Sequence, residues 1–362
     1  SIRFDEPLLR QAYYQSLLPI YQTNTGGNGR ADVMKLCHAV SACAPGAIAV
    51  PLQKGKPSFK LGNIAAANGV VLDNAHEALA DSGATLAVAR LMRDRAPALW
   101  ARMIANGRKR SVEQFLRDED VLLLSENHFG NPFNYVVAPL APNAESSGEW
   151  AVFDLAYDPA SCLDADVAEI RELIEGKVKI IRRTRTNSHP ALLPFDLAPD
   201  GIRGGRQPTR VYRSRAAAIR GNARFQENVS HALAARREDQ AVSAHVEERI
   251  YEGFPSDSDA ACMQDFHAAD WAERVSLLAK LEDARSRELG ERVIAAERPD
   301  VLTAARRRHW ETWRRKRLFA EGDVPWLTVP NALSAVAALS RDATAVDRSR
   351  LAAMKRYLDG LA

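Results

Sequence analysis

The chain has 362 residues, of which 46% are hydrophobic and 26% are charged. This length exceeds that of one ordinary domain and predicts two or three. The net charge of +3 at pH 7 is too small to indicate nucleic-acid binding by itself, so any such argument must rest on local clusters. No run of 18 or more apolar residues and no signal-peptide pattern is found. We therefore expect no membrane segment and a cytoplasmic location.

The cysteines show no metal-binding or redox spacing. Cys37, Cys43, Cys162 and Cys262 form no Cys-x-x-Cys pair, and we expect free, inert thiols in a reducing compartment. His38 follows Cys37 directly, but no second pair of ligands accompanies them. A zinc site is therefore not expected there.

Helical periodicity dominates the first hundred residues. Residues 1–5 (SIRFD) are interpreted as the end of a strand already under way. Helices are predicted at 6–20, 32–43, 58–68 and 78–94, and Asp32 is expected to cap the second of them. In the fourth helix the side chains expected to be buried are Leu86, Val88, Leu91 and Met92. This part of the chain is interpreted as the helical remainder of an α/β domain.

The pattern changes near Pro97 and again near residue 214. Short apolar runs separated by Gly, Asn and Pro predict strands at 121–124, 133–138, 150–155 and 177–182. Beyond residue 214 the periodicity is helical to the end of the sequence, with helices predicted at 214–236, 240–251, 258–290, 303–319 and 330–360. A β-rich middle domain followed by a helical domain is therefore expected.

A histidine and an aspartate lie five positions apart at the start of the helix predicted at 78–94. The histidine precedes the predicted helix, and the aspartate is in its first turn. His76 and Asp81 (NAHEALAD) would lie about 140° apart on one helix, so they converge only if His76 precedes the helix. Phosphodiester hydrolysis by two Mg²⁺ ions uses clustered carboxylates and a base for the attacking water, and histidine titrates near neutrality. On spacing alone, a structural histidine remains the commoner interpretation.

Several segments, in the same order, resemble those of exodeoxyribonuclease I. NAHEALADSGAT at 74–85 is similar to the third motif of the histidine-bearing DEDD exonucleases, and Arg3-Phe4-Asp5 is similar to the second. Residues 57–61 (PSFKL) with 67–69 (ANG), residues 251–257 (YEGFPSD) and Trp310-x3-Arg314 resemble further segments of the same family. The resemblance runs through essentially the whole chain.

The resemblance implies roles for three residues. His76 matches the general base, and Asp5 and Asp81 match carboxylates that bind two Mg²⁺ ions, with Mn²⁺ as a substitute. The family's first motif, Asp-x-Glu, matches no residue here and is expected upstream of Ser1. A polypeptide of residues 1–362 without that motif is expected to bind DNA and hydrolyse little of it.

The resemblance also implies an architecture and partners. It predicts part of a ribonuclease-H-like exonuclease domain at 1–97, an SH3-like β domain at 98–213 and a helical domain at 214–362. The implied activity is 3′–5′ digestion of single-stranded DNA to mononucleotides by a monomer in DNA repair and recombination. The family also binds the acidic tail of single-stranded-DNA-binding protein. At position 44, in the region that helps to bind this tail in the family, the chain has Ala44 where the family often has Arg.

Basic residues cluster in a chain with little net charge, and segregation of charge favours a groove that follows phosphates. One run, residues 203–224, contains seven arginines and no acid, a second is residues 177–185, and a third is residues 306–317. The third is as easily a charged outer helix face. The residues predicted to contact DNA are Lys60, Arg182, Arg183, Arg203, Arg206, Arg210 and Arg213.

Two questions stay open at this point. Phe129, Phe133 and Tyr135 could stack on bases or could fill a small β core. The chain could be the single-strand exonuclease, a binding module for DNA or protein without catalysis, or another DEDD nuclease such as a trimming enzyme. The extra β and helical regions argue against the last of these.

Overall fold

The computed structural model describes residues 2, 4–70, 78–128, 131–234, 242–341 and 344–361. The chain divides into two compact units. Unit 1 comprises Ser1–Arg10 with Tyr21–Ala241, and unit 2 comprises Gln11–Ile20 with Val242–Ala362. The mixed helical and sheet architecture expected from the sequence is confirmed. The boundaries 1–97, 98–213 and 214–362, and the domain names attached to them, stay predictions.

Unit 1 combines helices with one large antiparallel sheet. Its helices are α1 (Asp5–Gln15, which continues into unit 2), α2 (Val33–Cys43), α3 (Leu61–Ala67), α4 (Ala78–Arg95), α5 (Pro97–Ala105), α6 (Lys109–Asp118), α7 (Val167–Glu175), α8 (Asp200–Arg203), α9 (Thr209–Arg220) and α10 (Ala223–Ala234). Its strands are β1 (Leu52–Gln53), β2 (Lys56–Pro57), β3 (Leu122–His128), β4 (Asn131–Pro142), β5 (Glu149–Asp154), β6 (Ile181–Arg185) and β7 (Leu192–Pro194).

Local signals account for the ends of several helices. The Asp32 carboxylate accepts hydrogen bonds from the backbone N–H groups of Met34 and Lys35, so the predicted cap of α2 is confirmed. Pro97 occupies the first turn of α5, where its missing N–H is not needed. Asp166 and Glu169 form a reciprocal capping box that begins α7.

The sheet has strand order β6-β5-β4-β3-β7, with every neighbouring pair antiparallel. Residues directly opposite each other share a face. We call one surface of the sheet the α6 face, because its buried side chains pack against Val112, Phe115 and Leu116 of α6. The buried side chains that the sheet contributes to this core are Leu122, Leu124, Val137, Trp150 and Val152. The opposite surface, the α10 face, packs Val136, Ala138, Ala151, Phe153 and Ile181 with residues of α7, α9 and α10.

A buried histidine links three segments of unit 1. His189 accepts the Asp32 backbone N–H at Nδ1 (3.0 Å), and its Nε2 lies 2.7 Å from the Met103 carbonyl oxygen. A ring that accepts at Nδ1 is neutral and donates from Nε2. Burial lowers the pKa of His189 to about 4, which agrees with that neutral form. We assign His189 a structural role.

Unit 2 is helical in its described residues. Its helices are α11 (Asp257–Ala268), α12 (Trp271–Leu278), α13 (Ala284–Glu297), α14 (Ala304–Leu318), α15 (Val329–Leu339) and α16 (Ala345–Asp359). Leu17, Phe266, Leu278 and Ile294 belong to its core. A Cβ at Gly290 would collide with side-chain carbons of Leu278 and Leu17, so glycine permits this close approach of α13.

Arginines and tryptophans form a polar cluster in unit 2. The Glu247 carboxylate accepts a hydrogen bond from Arg292 Nη1 (2.9 Å) and forms an ion pair with Arg317. The Arg317 guanidinium lies 3.8 Å from the centroid of the Trp326 ring. Arg317 belongs to the third basic run of the sequence, so part of that run stabilises the fold.

Some local predictions are wrong. Residue Asp5 begins a helix where a strand end was expected, and it places negative charge at the helix N-terminus, where the helix dipole favours it. The strand expected at 177–182 lies at Ile181–Arg185, and β7 was not predicted. Helices α5, α6 and α7 lie in the region expected to be β-rich. In α4, Val88 and Met92 are buried as predicted, whereas Leu86 is exposed.

Candidate nucleic-acid interface

The residues of the predicted catalytic motif are only partly described. His76 lies outside the described residues, as do all of positions 71–77. The described part of helix α4 starts at Ala78, and the prediction that His76 precedes this helix stays a prediction. Asp81 is in the first turn of α4 and is partly exposed, and its backbone carbonyl accepts the Thr85 hydroxyl (2.8 Å). Asp5 is exposed at the start of α1.

The described residues do not by themselves fit a two-metal centre. Among them, no three His, Cys, Asp or Glu side chains come together as possible ligands of one ion. Two divalent cations require several shared carboxylates. The roles of Asp5 and Asp81 in metal binding therefore stay predictions. Cys37 and His38 are both buried, and the His38 ring makes an edge contact with Phe59 at 4.2 Å.

A cluster of arginine and aromatic side chains lies at the hairpin end of the α6 face. The Arg182 guanidinium lies 3.4 Å from the centroid of the Tyr135 ring. Its nitrogens are 3.4 Å from a carboxylate oxygen of Glu126 and 3.8 Å from one of Asp154. The Phe133 ring is nearly parallel to Tyr135, at 8° and 6.3 Å between centroids. Arg182 therefore lies between an aromatic ring and two carboxylates.

The electrostatics of this cluster extend to Arg206. Burial raises the pKa of Tyr135, and the positive charges of Arg182 and Arg206 oppose that rise. Burial likewise raises the pKa of Asp154, against the Ala156 backbone hydrogen bond and the same two arginines. Arg206 is exposed and forms no ion pair within the described residues. Its charge is therefore available near the aromatic rings.

Strand alternation separates two adjacent predicted DNA-binding residues. Arg182 is opposite Val152 and lies on the α6 face, whereas Arg183 is opposite Ala151 and lies on the α10 face. Arg183 is 3.8 Å from a carboxylate oxygen of Glu149. These two arginines cannot contact one strand on the same face of the sheet, so the basic run 177–185 is not one surface.

The arginines of residues 203–224 divide into structural and free groups. Arg215 donates to the carbonyl oxygens of Leu155 and Ala156, and Arg220 is 2.6 Å from an Asp120 carboxylate oxygen. Arg203 pairs with Asp200 across one turn of α8. Four side chains are exposed and without an ion pair in the described part of the chain, namely Arg206, Arg210, Arg213 and Arg224.

Helix geometry places two of these free arginines together. Arg210 and Arg213 are three positions apart on α9 and therefore neighbours on its surface, while Tyr212, Ala216 and Ile219 of the same helix are buried. Lys60 is exposed just before α3 and forms no ion pair with a described residue. The structure thus leaves Lys60, Arg206, Arg210 and Arg213 available to phosphates.

Sequence reasoning missed the acidic residues of the site. Glu126 and Asp154 are the partners of Arg182, and neither was singled out. Their positions on β3 and β5 place them on the same face as Tyr135, because register pairs Leu124 with Tyr135. Alternation along the strands could have indicated this, but only with the strand pairing known.

The comparisons with known proteins agree across the chain. The family model for the exonuclease I C-terminal domain matches residues 244–361. Exodeoxyribonuclease I of Haemophilus influenzae is 27% identical over 88% of this chain and 71% of its own length. The Escherichia coli enzyme of the same name is 28% identical over 87% of this chain and 70% of its own length. The chain is a homologue of exodeoxyribonuclease I. The resemblance seen in the sequence is confirmed, and the chain falls in a class of enzymes, the exonucleases.

Solved structures of exonuclease I share the fold of this chain. Exonuclease I from Methylocaldum szegediense superposes with a TM-score of 0.82 at 27% identity, covering 99% of this chain and 79% of that one. Escherichia coli exonuclease I in complex with a dA16 oligonucleotide gives a TM-score of 0.81 at 24% identity, covering 100% and 79%. No described helix is long and apolar enough to cross a bilayer.

Proposed function

We propose that the protein is a metal-dependent 3′–5′ exodeoxyribonuclease that degrades single-stranded DNA to mononucleotides in DNA repair and recombination. The observation that carries the proposal is homology to exodeoxyribonuclease I over 88% of the chain. The order of motifs from Asp5 to Trp310 supports it, since they are spread over both units. The ribonuclease-H-like and SH3-like domain assignments belong to the same proposal.

The catalytic roles follow the motifs. His76 is assigned as the base that takes the proton of the attacking water. Asp5 and Asp81 are assigned as carboxylates that bind Mg²⁺, for which Mn²⁺ can substitute. A bound divalent cation would supply charge stabilisation at the phosphate. The described residues do not complete such a site, so no further step is derived from it.

The partners are a single strand of DNA and the tail of single-stranded-DNA-binding protein. The free cations Lys60, Arg206, Arg210 and Arg213 support the first. For the second, the chain departs from the family at Ala44, the C-cap of α2, which has no cationic side chain where the family often has one. A monomer in the cytoplasm is part of the same proposal.

The function is tested with a 5′-labelled single strand and the full-length protein. We expect a ladder of products shortened from the 3′ end, released mononucleotides, and loss of activity when EDTA removes divalent cations. Mg²⁺ and Mn²⁺ should each restore it. Cleavage of duplex DNA at the same rate, or removal of the labelled 5′ end first, would contradict the assignment. Tight binding without hydrolysis would instead favour the non-catalytic binding module.

Neutralising the two free arginines of α9 should weaken DNA binding regardless of sequence. In the Arg210→Gln/Arg213→Gln variant, the slope of log K against log salt concentration should become shallower by about 0.7 for each phosphate that is no longer neutralised. Affinity for dA and dT strands should fall to a similar extent, because phosphates carry no base information. Fluorescence anisotropy at several salt concentrations, in EDTA, measures both quantities.

Two arginines of the same run provide the matched control. In the Arg203→Gln/Arg220→Gln variant, two positive charges are again removed, but Arg203 is already paired with Asp200 and Arg220 with Asp120. We expect a smaller change of slope for this variant. An unchanged slope for Arg210→Gln/Arg213→Gln would mean that these side chains are exposed to solvent and bind no phosphate.

A further inference from the structure

Helix α1 belongs to both compact units. Its residues up to Arg10 lie in unit 1, and from Gln11 onward the chain belongs to unit 2 until it returns to unit 1 at Tyr21. Arg10 and Gln11 are consecutive residues of one hydrogen-bonded helix, so the chain passes from unit 1 to unit 2 here without a flexible linker. A disturbance at one end of such a helix can therefore reach the other end.

A buried carboxylate ties the start of α1 into unit 1. Glu6 is 9% exposed, and its Oε1 accepts the Thr23 hydroxyl at 2.5 Å and Arg30 Nη1 at 3.1 Å. Arg10, one turn further along the helix, lies 3.3 Å from the same oxygen. Arg30 also donates to the Asn187 carbonyl oxygen at 2.9 Å. Breaking a buried group of charges is strongly destabilising, so these contacts anchor the first turns of α1 in unit 1.

The C-terminal end of α1 has a leucine where glycine is favoured. Leu17 has a φ of 58°, and the backbone N–H groups of Leu17 and Leu18 donate to the carbonyl oxygens of Tyr14 and Tyr13. This pair of hydrogen bonds is the Schellman motif, whose left-handed residue is usually glycine. A leucine in the left-handed region is strained, because its Cβ lies too close to the backbone. Another interaction must offset this strain.

The Leu17 side chain provides that interaction in the core of unit 2. It is 2% exposed and belongs to the cluster that includes Phe266, Leu278 and Ile294. A Cβ at Gly290 would lie 2.9 Å from Leu17 Cδ1, so the lack of a side chain at this position of α13 makes room for the leucine. Burial of a whole leucine side chain typically stabilises a protein by more than one left-handed residue costs.

Two hydrogen bonds extend the contact of α1 with the rest of unit 2. Gln11 Nε2 donates to the Glu247 carbonyl oxygen at 2.6 Å, and the Tyr14 hydroxyl donates to that of Val246 at 3.0 Å. Both acceptors lie in the short 3-10 turn Val246–Glu248. The segment 11–20 is therefore anchored by its side chains to parts of unit 2 that are more than 200 residues away in the chain.

We propose that α1 is a brace that couples the two units. Glu6 ties its start into unit 1, Leu17 pins its end into unit 2, and loosening of either end lowers the stability of both units. The inference concerns stability and does not depend on the proposed function. It bears on that function through Asp5, the first residue of α1, which is assigned above as a metal-binding carboxylate.

Hydrogen exchange of the α13 amides in the full-length protein tests the pin, because their exchange reports the opening of unit 2. Leu17→Ala should raise these exchange rates about 30- to 5,000-fold, the usual effect of deleting a buried leucine side chain. Leu17→Gly should exchange about 5-fold more slowly than Leu17→Ala, because glycine removes the left-handed strain. Leu18→Ala is the matched control, since Leu18 is half-buried and outside the core cluster, and it should exchange nearly as the parent does.

The coupling is tested from the opposite end of the helix. Glu6→Gln loosens α1 in unit 1, and exchange of α13 in unit 2 should rise by about 2- to 150-fold, the range for coupled sites. Thr23→Ala removes one hydrogen bond from Glu6 and should act in the same direction with a smaller effect. Glu149→Gln neutralises another carboxylate of unit 1, one that pairs with Arg183 on the sheet, and should leave α13 exchange at the parental rate.

Each set of variants has an outcome that contradicts the brace. Parental α13 exchange in Leu17→Ala, or faster exchange in Leu17→Gly than in Leu17→Ala, would overturn the pin. Parental α13 exchange in both Glu6→Gln and Thr23→Ala would show that the two ends of α1 act independently. An equal rise in Glu149→Gln would also overturn the brace, because the effect would then not require α1. If Glu6→Gln fails to fold, the milder Thr23→Ala decides.

Discussion

Replacing His76 with alanine is expected to lower kcat by about 10²- to 10⁴-fold, the usual cost of losing a general base. The Kd for single-stranded DNA should change little, because the cations proposed to hold the strand lie on other segments. Without a base near neutral pKa, the remaining activity should also lose the acidic limb of its pH profile. The measurement is single-turnover hydrolysis of a labelled strand by the full-length protein, between about pH 5.5 and 9, a range that spans the ordinary histidine pKa.

His231→Ala is the control for this experiment. His231 is exposed on α10 and was assigned no role, so its removal should leave kcat and the pH profile as they are. His76→Ala with parental kcat would remove His76 from the mechanism. A loss of DNA binding as large as the loss of kcat would indicate a role in holding the strand.

Removing the carboxylate of Glu247 is expected to destabilise unit 2 by about 3–5 kcal/mol, as when one partner of a buried ion pair is lost. Glu247 is 9% exposed and is the common partner of Arg292 and Arg317. In Glu247→Ala both guanidinium groups would lose their shared counter-charge in a largely desolvated position. Thermal unfolding followed by tryptophan fluorescence measures the effect, because Trp313 and Trp326 lie against these arginines.

Glu288→Ala is the matched control, since it removes a second carboxylate from the same Arg292. Glu288 Oε1 is 2.6 Å from Arg292 Nη2, but its side chain is 45% exposed. Exposed pairs of this kind contribute about 0–1 kcal/mol. Equal destabilisation by the two variants would mean that burial of Glu247 is not the cause of the larger effect.

The same carboxylate should make the stability of unit 2 depend on pH. Burial alone would raise the pKa of Glu247, but a backbone hydrogen bond and the two arginines outweigh burial and lower it. A carboxyl group with a lowered folded pKa stabilises the fold fully above its unfolded value of 4.5, and the stabilisation is lost as pH falls through the folded pKa. Between about pH 5 and pH 3 the parent should therefore lose stability more steeply than Glu247→Gln.

Much of the helical structure was readable from sequence because its signals are local. The periodicity of residues 32–43 and 303–319 predicted helices that the structure places at Val33–Cys43 and Ala304–Leu318, and Asp32 caps the first as expected. The order of short motifs was enough to identify the homology with exodeoxyribonuclease I. Such signals depend on neighbours within a few positions, so no knowledge of the fold is required.

The division of the basic clusters was decided only by the tertiary structure. In sequence Arg182 and Arg183 form one run, but the pleat of β6 places them on opposite faces of the sheet. Arg215 and Arg220 look like Arg210 and Arg213 until distant carbonyl and carboxylate groups are brought to them. The role of an arginine depends on partners that are tens of residues away in the chain. Composition records how many charges a segment has, whereas strand pairing and packing determine which of them remain free to bind a phosphate.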